Sequence, residues 1–220
     1  MFLIGFFQIG SDTTATQLAA NFFYLTNNTH ALARLKQEIR TTFQSVNDIR
    51  LGRTLDGCRY LHAVINETLR LSPSLPGVLP REVLKGGLNV CGEHFPCGVE
   101  LSVPIYSLHH HDEVYFEPHR FFPERWLSGH TSDEAVKRCI DSLTPFSYGS
   151  RQCIGKRLAI MEICLVLARS VWEYELEYVA GGKEDRFGNN PEIVEYKLLD
   201  HLAASRQGPA IRFWKRDNFN

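Results

Sequence analysis

Apolar residues recur along this chain with a helical period over most of its length and with a strand period only in short stretches. Residues 2 to about 27 are apolar and helix-compatible, broken only by a polar patch at residues 10–14 that falls mid-helix. A buried helix with a polar interruption marks a candidate site. Thr29 is placed to cap a second helix running through Phe43, in which Ala31, Leu32, Leu35, Ile39 and Phe43 recur at three- and four-residue steps. The opposite face, Arg34, Lys36, Glu38 and Arg40, reads as solvated surface. Residues 60–71 predict a third helix, stopped at Ser72-Pro73 because proline disfavours helix in the residue before it.

Residues 88–90 and 100–103 read as the two strands of a small hairpin around Gly92 and Pro96-Cys97-Gly98. Between His109 and Gly149 there is little periodicity and much aromatic content, which predicts a long ordered loop. Residues 154–172 form a strongly apolar helix expected to be buried on most sides, with Leu158, Ile160, Met161, Ile163, Leu165, Val166 and Leu167. The tail alternates as strands at 174–178 and 210–214, separated by a Gly-, Asn- and charge-rich excursion. These elements predict a mainly α fold with small β-sheets.

Composition narrows the function. With 44% apolar and 22% charged residues, a chain of 220 residues has the material for a substantial core. Lys and Arg number 24 against 25 Asp and Glu, and there is no basic run to neutralise phosphates, so nucleic acid is set aside as a partner. The six cysteines, at 58, 91, 97, 139, 153 and 164, are irregularly spaced without a Cys-x-x-Cys pair. Cys91 and Cys97 flank the predicted hairpin, yet free thiols in a reducing compartment are the expectation. The apolar first ten residues are too short to span a bilayer and lack a basic leader region, and are read as the truncated start of a buried helix.

The densest chemical signal is Phe146-Ser-Tyr-Gly149-Ser-Arg151-Gln-Cys153-Ile-Gly155, a loop that delivers a cysteine to the start of the apolar helix. Exposed N–H groups and the positive dipole end there favour a thiolate, which serves as nucleophile or metal ligand. Gly149 permits a turn that other residues resist, Gly155 lets something bulky approach, and Arg151 offers a cation to a nearby anionic group. Together they suit a large, anionic, metal-bearing ligand.

Phe146, Gly149, Arg151, Cys153 and Gly155 resemble, at all five fixed positions, the haem-binding signature of the cytochromes P-450. The resemblance implies that Cys153 is the axial ligand to the haem iron, a ligand that favours O–O cleavage, and that Arg151 pairs with a haem propionate. Glu67-Thr-Leu-Arg70 resembles the family's Glu-x-x-Arg, and Pro123-Glu-Arg125-Trp126 its Pro-Glu-Arg-Phe segment. A buried Glu67, Arg70, Arg125 cluster is therefore expected to lock the cysteine loop onto the third helix. Gly10-Ser-Asp12-Thr13-Thr14 is similar to the oxygen-activation motif. In that role Gly10 leaves space for dioxygen, Thr13 hydrogen-bonds to it, and Asp12 relays protons from solvent. Ile9 stands where the family usually has Ala or Gly, which predicts crowding of the oxygen pocket. Leu79-Pro80-Arg81 resembles the segment whose arginine reaches the second propionate.

By the same resemblance the chain reads as one partial domain over residues 1–220, the C-terminal half of the fold, with the N-terminal half and membrane anchor absent. The implied function is a haem b monooxygenase resembling fungal microsomal members. It acts on a small apolar organic or secondary-metabolite substrate with dioxygen, taking electrons from NADPH through a flavoprotein reductase. The full-length protein is expected on the cytoplasmic face of the endoplasmic reticulum membrane, and the chain alone, without a membrane segment, is expected to be soluble. Arg138, Arg151, Lys156 and Arg157 would suit docking of an acidic reductase. The alternatives are a truncated fragment or incomplete gene product unable to hold haem, and a cysteine-nucleophile enzyme, for which no base partner is evident. His109, His110, His111, His119 and Cys139 include zinc-type ligands, but adjacent histidines rarely converge on one ion, and loop packing is the expectation.

Overall fold

The structure, a computed structural model, describes residues 2–179, 194–199, 203–206 and 208–216, with side chains from Gly10 onward. Its helices are α1 (Phe2–Asn27), α2 (Thr29–Thr42), α3 (Arg53–Asp56), α4 (Arg59–Leu71), α5 (Ile105–His109), α6 (Asp133–Ser142) and α7 (Lys156–Glu173). The strands are β1 (Arg81–Glu82), β2 (Leu88–Val90), β3 (Glu93–Phe95), β4 (Glu100–Leu101), β5 (Tyr174–Tyr178), β6 (Leu198–Leu199), β7 (Ser205–Arg206) and β8 (Ile211–Lys215). Helices α1, α2, α4 and α7 pack on one another because each turns an apolar stripe inward. Phe23, Leu35, Ile39, Leu61, Ile65, Ile163, Leu167 and Val171 meet there fully buried, each such side chain contributing about 1.5–3 kcal/mol.

Several expectations need correction. Among the described side chains of α1, burial begins at Thr16, and Gly10, Ser11 and Asp12 face solvent; the side chains of the expected buried start, residues 1–9, lie outside the described residues. The cap position of α2 is Asn28, not Thr29; the Asn28 amide donates to the Tyr24 carbonyl at 2.7 Å and so finishes α1 rather than starting α2. The polar face of α2 is bonded rather than merely solvated. Glu38 accepts the N–H groups of Tyr60 (2.8 Å) and Leu61 (2.9 Å), placing a carboxylate at the positive end of α4. Arg40 reaches Glu175 at 2.6 Å, Lys36 pairs with the same carboxylate, and Arg34 meets Glu124 at 2.9 Å.

The hairpin pairs differently from the expected 88–90 with 100–103. Strand β2 pairs with β3 across Cys91-Gly92, while β4 returns to β1, with Arg81 opposite Leu101. Positive φ at Cys91 (51°) and Gly92 (88°) makes this tight reversal and leaves residues 96–99 to link two ladders. In the tail, β5 and β8 pair antiparallel, Tyr174 opposite Lys215, and flank α1; the charged excursion between them falls mostly outside the described residues. The long loop contains α6, capped by the Ser132 hydroxyl, which accepts from Ala135 N–H at 3.2 Å, and anchored by buried Val136 and Cys139. Helix α7 buries one face only. Ile163, Cys164, Leu167, Ala168 and Val171 are inside, while Leu158 is 60% exposed and Met161 and Val166 lie open. Among the described residues, no helix is long and apolar enough to cross a membrane.

Candidate functional site

The cysteine loop is built from its own backbone. Ser147 (φ 61°) and Gly149 (φ 75°) reverse the chain, and the N–H groups of Ser147, Gln152 and Cys153 donate to the carbonyls of Thr144 (3.0 Å), Gly149 (3.1 Å) and Phe146 (2.9 Å). A Cβ at Gly149 would meet nothing within 4 Å, so its glycine serves the left-handed backbone rather than space. A Cβ at Gly155 would lie 3.8 Å from Cys153 Sγ. Helix α7 starts at Lys156, three residues after Cys153 and two later than the sequence pattern predicts, with Gly155 as its cap residue. The Cys153 thiol is exposed within a turn of that helix's free N–H groups. Arg138, Arg151, Lys156 and Arg157 are all exposed, and the Lys156 ammonium stands 5.9 Å from the centre of the Phe146 ring.

A second constellation is sealed. Glu67 and Arg70 are fully buried on α4, three residues apart, with a two-point pair at 2.9 and 3.0 Å. The Arg125 Nε donates to Glu67 Oε1 at 3.0 Å, the Phe122 N–H to the same oxygen at 2.9 Å, and the Trp126 indole to Oε2 at 3.0 Å. Burial alone would raise the Glu67 carboxyl, but the Arg70 and Arg125 guanidinium groups hold it below the usual carboxylate range. The spare arginine donors go to carbonyls: Arg70 to His109, Pro118 and Arg120, Arg125 to Phe116, Glu117 and Arg120. The cluster therefore grips the 109–126 segment directly. Its bonded link to the cysteine loop runs through His109, whose Nε2 accepts the Thr144 N–H at 2.9 Å.

On α1, Asp12 is exposed, Thr13 half-buried, and Gly10 has open space around its α-carbon. The side chain of Ile9 lies outside the described residues. Residues that sequence reasoning missed fix this helix. Gln17 Nε2 donates to the Ser72 carbonyl and to Ser74 Oγ (3.0 Å), Tyr24 and Ser72 share a 2.8 Å hydrogen bond, and Ser74 Oγ donates to the Thr13 carbonyl at 2.9 Å. Thr16 binds Arg206 at 3.0 Å. Their signal was present: Thr16, Gln17 and Asn21 are polar at one-turn spacing in an otherwise apolar stretch, which marks a buried polar seam. Arg81 is exposed and folds onto the carbonyls of Leu79 (3.2 Å) and Pro80 (2.9 Å).

The histidines separate. His109 is buried in the loop packing, and burial pushes its imidazole down to about 3, so it stays neutral. His111 is exposed beside Asp112, and Cys139 is buried under Tyr115, whose hydroxyl donates to its carbonyl at 3.2 Å. His110 and His119 instead come together, their ring centres 5.0 Å apart, and both face Glu195.

Among the described residues, no histidine or carboxylate hydrogen-bonds the Cys153 thiol. A family model described as cytochrome P450 matches residues 1–199. The chain is 43% identical over 204 residues to a cytochrome P450 monooxygenase, poxM, of Penicillium oxalicum, covering 93% of this chain and 37% of that protein. It is 40% identical over 210 residues to the monooxygenase atnE of Emericella nidulans (94% and 39%), and 40% over 214 residues to lcsN of Purpureocillium lilacinum (96% and 63%). The chain belongs to the cytochrome P450 family. It spans about two fifths of the length of the first two of these relatives.

Proposed function

We propose that this chain carries the haem-binding part of a monooxygenase that inserts one atom of dioxygen into a small apolar organic substrate, of secondary-metabolite type. The observation that carries the reading is the surroundings of Cys153: an exposed sulfur in a self-bonded loop, with exposed Tyr148, Ile154 and Leu158 within five residues on either side and exposed Arg151 beside it. One sulfur donor, an apolar flank and a cation fit haem b, a flat apolar macrocycle with anionic arms and a metal that takes thiolate. When bound, haem would supply the reductive activation of dioxygen, with the thiolate pushing electron density toward the iron.

The chain's own residues would then divide the work. Cys153 would hold the iron; Phe146, through its carbonyl, and Gly149 shape the loop that presents the sulfur, and Gly155 would keep the approach open. Arg151 and Arg81 offer cations to the two propionates. Gly10 would leave room for dioxygen, Thr13 would donate or organise a hydrogen bond to it, and exposed Asp12 would move protons in from solvent. Crowding by Ile9 would loosen the coupling of electron use to product, and Ile9→Ala in the full-length enzyme should raise that coupling, measured as product per NADPH consumed. Electrons would come from NADPH through a flavoprotein reductase docking on Arg138, Arg151, Lys156 and Arg157. The whole protein would act at the cytoplasmic face of the endoplasmic reticulum membrane, with residues 1–220 as part of a larger domain.

A second reading, that these 220 residues hold no haem unaided, draws support from the apolar face that α7 leaves open at Leu158, Met161 and Val166. The carbon monoxide difference spectrum of the reduced chain, with haem supplied, separates the two. A far-red Soret band that disappears in Cys153→Ser supports the thiolate site within this chain. No such band in the chain, with the band present in a longer chain that includes it, assigns haem retention to the larger protein.

A further inference from the structure

The cluster of His110, His119 and Glu195 lies outside everything the haem chemistry uses. Residues 110 and 119 belong to the segment gripped by the Glu67 lock, and Glu195 arrives from the C-terminal part of the chain. One nitrogen of each imidazole and one carboxylate oxygen all lie within 4.8 Å of one another. The His110 side chain is only 5% exposed and that of Glu195 only 6%. His110 Nδ1 is 2.8 Å from the Tyr106 carbonyl, which can only accept, so the ring's proton sits on Nδ1 and Nε2 carries a lone pair. That Nε2 is buried without a hydrogen-bond partner and faces Glu195 Oε1 at 4.0 Å. The buried Nε2 lone pair is thus left without a donor, an arrangement that a positive ligand lying against it would relieve.

We propose that His110, His119 and Glu195 form a binding site for a divalent transition-metal ion, zinc first, that ties the C-terminal segment to the 105–119 segment. His110 Nε2 and Glu195 Oε1 stand 4.0 Å apart, wider than the roughly 3.3 Å between two ligand atoms each about 2.0 Å from a tetrahedral zinc, so binding draws them together by less than about 1 Å. His119 Nδ1 lies 3.8 Å from Glu195 Oε2, and its side chain, 46% exposed, can swing inward and leaves the outer side open to a water as fourth ligand. The supporting shell is in place. The His110 Nδ1–H bond to a backbone carbonyl fixes the ligating tautomer, the Tyr106 hydroxyl donates to Glu195 Oε1 at 2.7 Å, and the Tyr106 ring stacks on His110 at 3.9 Å. Two imidazoles and one carboxylate suit zinc over magnesium or calcium, which want oxygen ligands. The nearby Arg70 cation is matched by its two-point pair with Glu67.

The test is zinc counting on the full-length protein, with exposed Cys91, Cys97 and Cys153 alkylated beforehand. Protein equilibrated with zinc chloride is dialysed against a chelator of known affinity and analysed by mass spectrometry of the metal. The expected result is one zinc per chain, with affinity at least tenfold weaker in His119→Gln and in Glu195→Gln, about tenfold weaker in Tyr106→Phe, and unchanged in His30→Gln, an exposed histidine elsewhere. Zinc should also raise the melting temperature of the parent chain and not that of His119→Gln. His119→Gln changes an exposed side chain, so the variant folds and its zinc content is interpretable. Less than one zinc per chain in the parent, or equal zinc in His119→Gln, overturns the site.

Discussion

The Glu67 lock and the Cys153 loop are both built around charge or potential charge, yet they are opposites. In the lock every lone pair of one carboxylate is met by Arg70, Arg125, the Trp126 indole or the Phe122 N–H, and nothing is left for a ligand. In the loop the backbone bonds are closed, but the side chains of Tyr148, Arg151, Cys153 and Ile154 point out of the fold. The first is a fastening and the second a presentation. A buried charge cluster is tolerable only when complete, whereas a binding loop has its backbone satisfied and its side chains free.

The strongest way to break this contrast is Glu67→Gln, which leaves two buried guanidinium groups uncompensated and should cost about 3–5 kcal/mol in urea unfolding. Acid should act in the same direction. Because Glu67 has a depressed carboxyl in the folded chain, its contribution is present above the unfolded value near 4.5 and is lost as pH falls through the lower folded value. The parent should therefore lose stability more steeply than Glu67→Gln below pH 4.5. Arg125→Lys keeps one charge but abandons the fork to the carbonyls of Phe116, Glu117 and Arg120, and roughly 2 kcal/mol of destabilisation is expected. Gly149→Ala should cost about 1–2 kcal/mol, since φ is 75° there while no atom obstructs the added methyl. Cys153→Ser should change stability by less than about 0.5 kcal/mol, because the thiol is exposed, while abolishing any thiolate haem spectrum. A Cys153→Ser variant as unstable as Glu67→Gln would place the cysteine in the fastening and dissolve the contrast.

Different regions of the chain are legible in the sequence to different depths. Helices α1, α2 and α4 were legible because their apolar residues recur at helical spacing and Pro73 marks the end of α4. Helix α6 was hidden in an aromatic stretch that looked irregular, although Ser132-Asp133-Glu134 is a start signal and Val136 and Cys139 supply a two-point apolar face. The apolar run in α7 did not reveal which residues would be covered, since periodicity states that a face exists and not what packs on it. The register of β1 to β4 turned on positive φ at Cys91, a residue whose type gives no warning of it.

The sequence by itself determined the family, through five fixed residues around Cys153, and the helical character of the core, because local spacing and residue type carry both. Tertiary structure decided the rest: that Glu38 caps α4, that Trp126 and Phe122 complete the Glu67 carboxylate, that Gln17 and Ser74 hold the turn of α1 bearing Thr13, and that Glu195 meets His110 and His119. Each of these joins groups more than twenty residues apart. Such partners are set by the balance of burial and hydrogen bonding over the whole fold, and no window along the chain contains it.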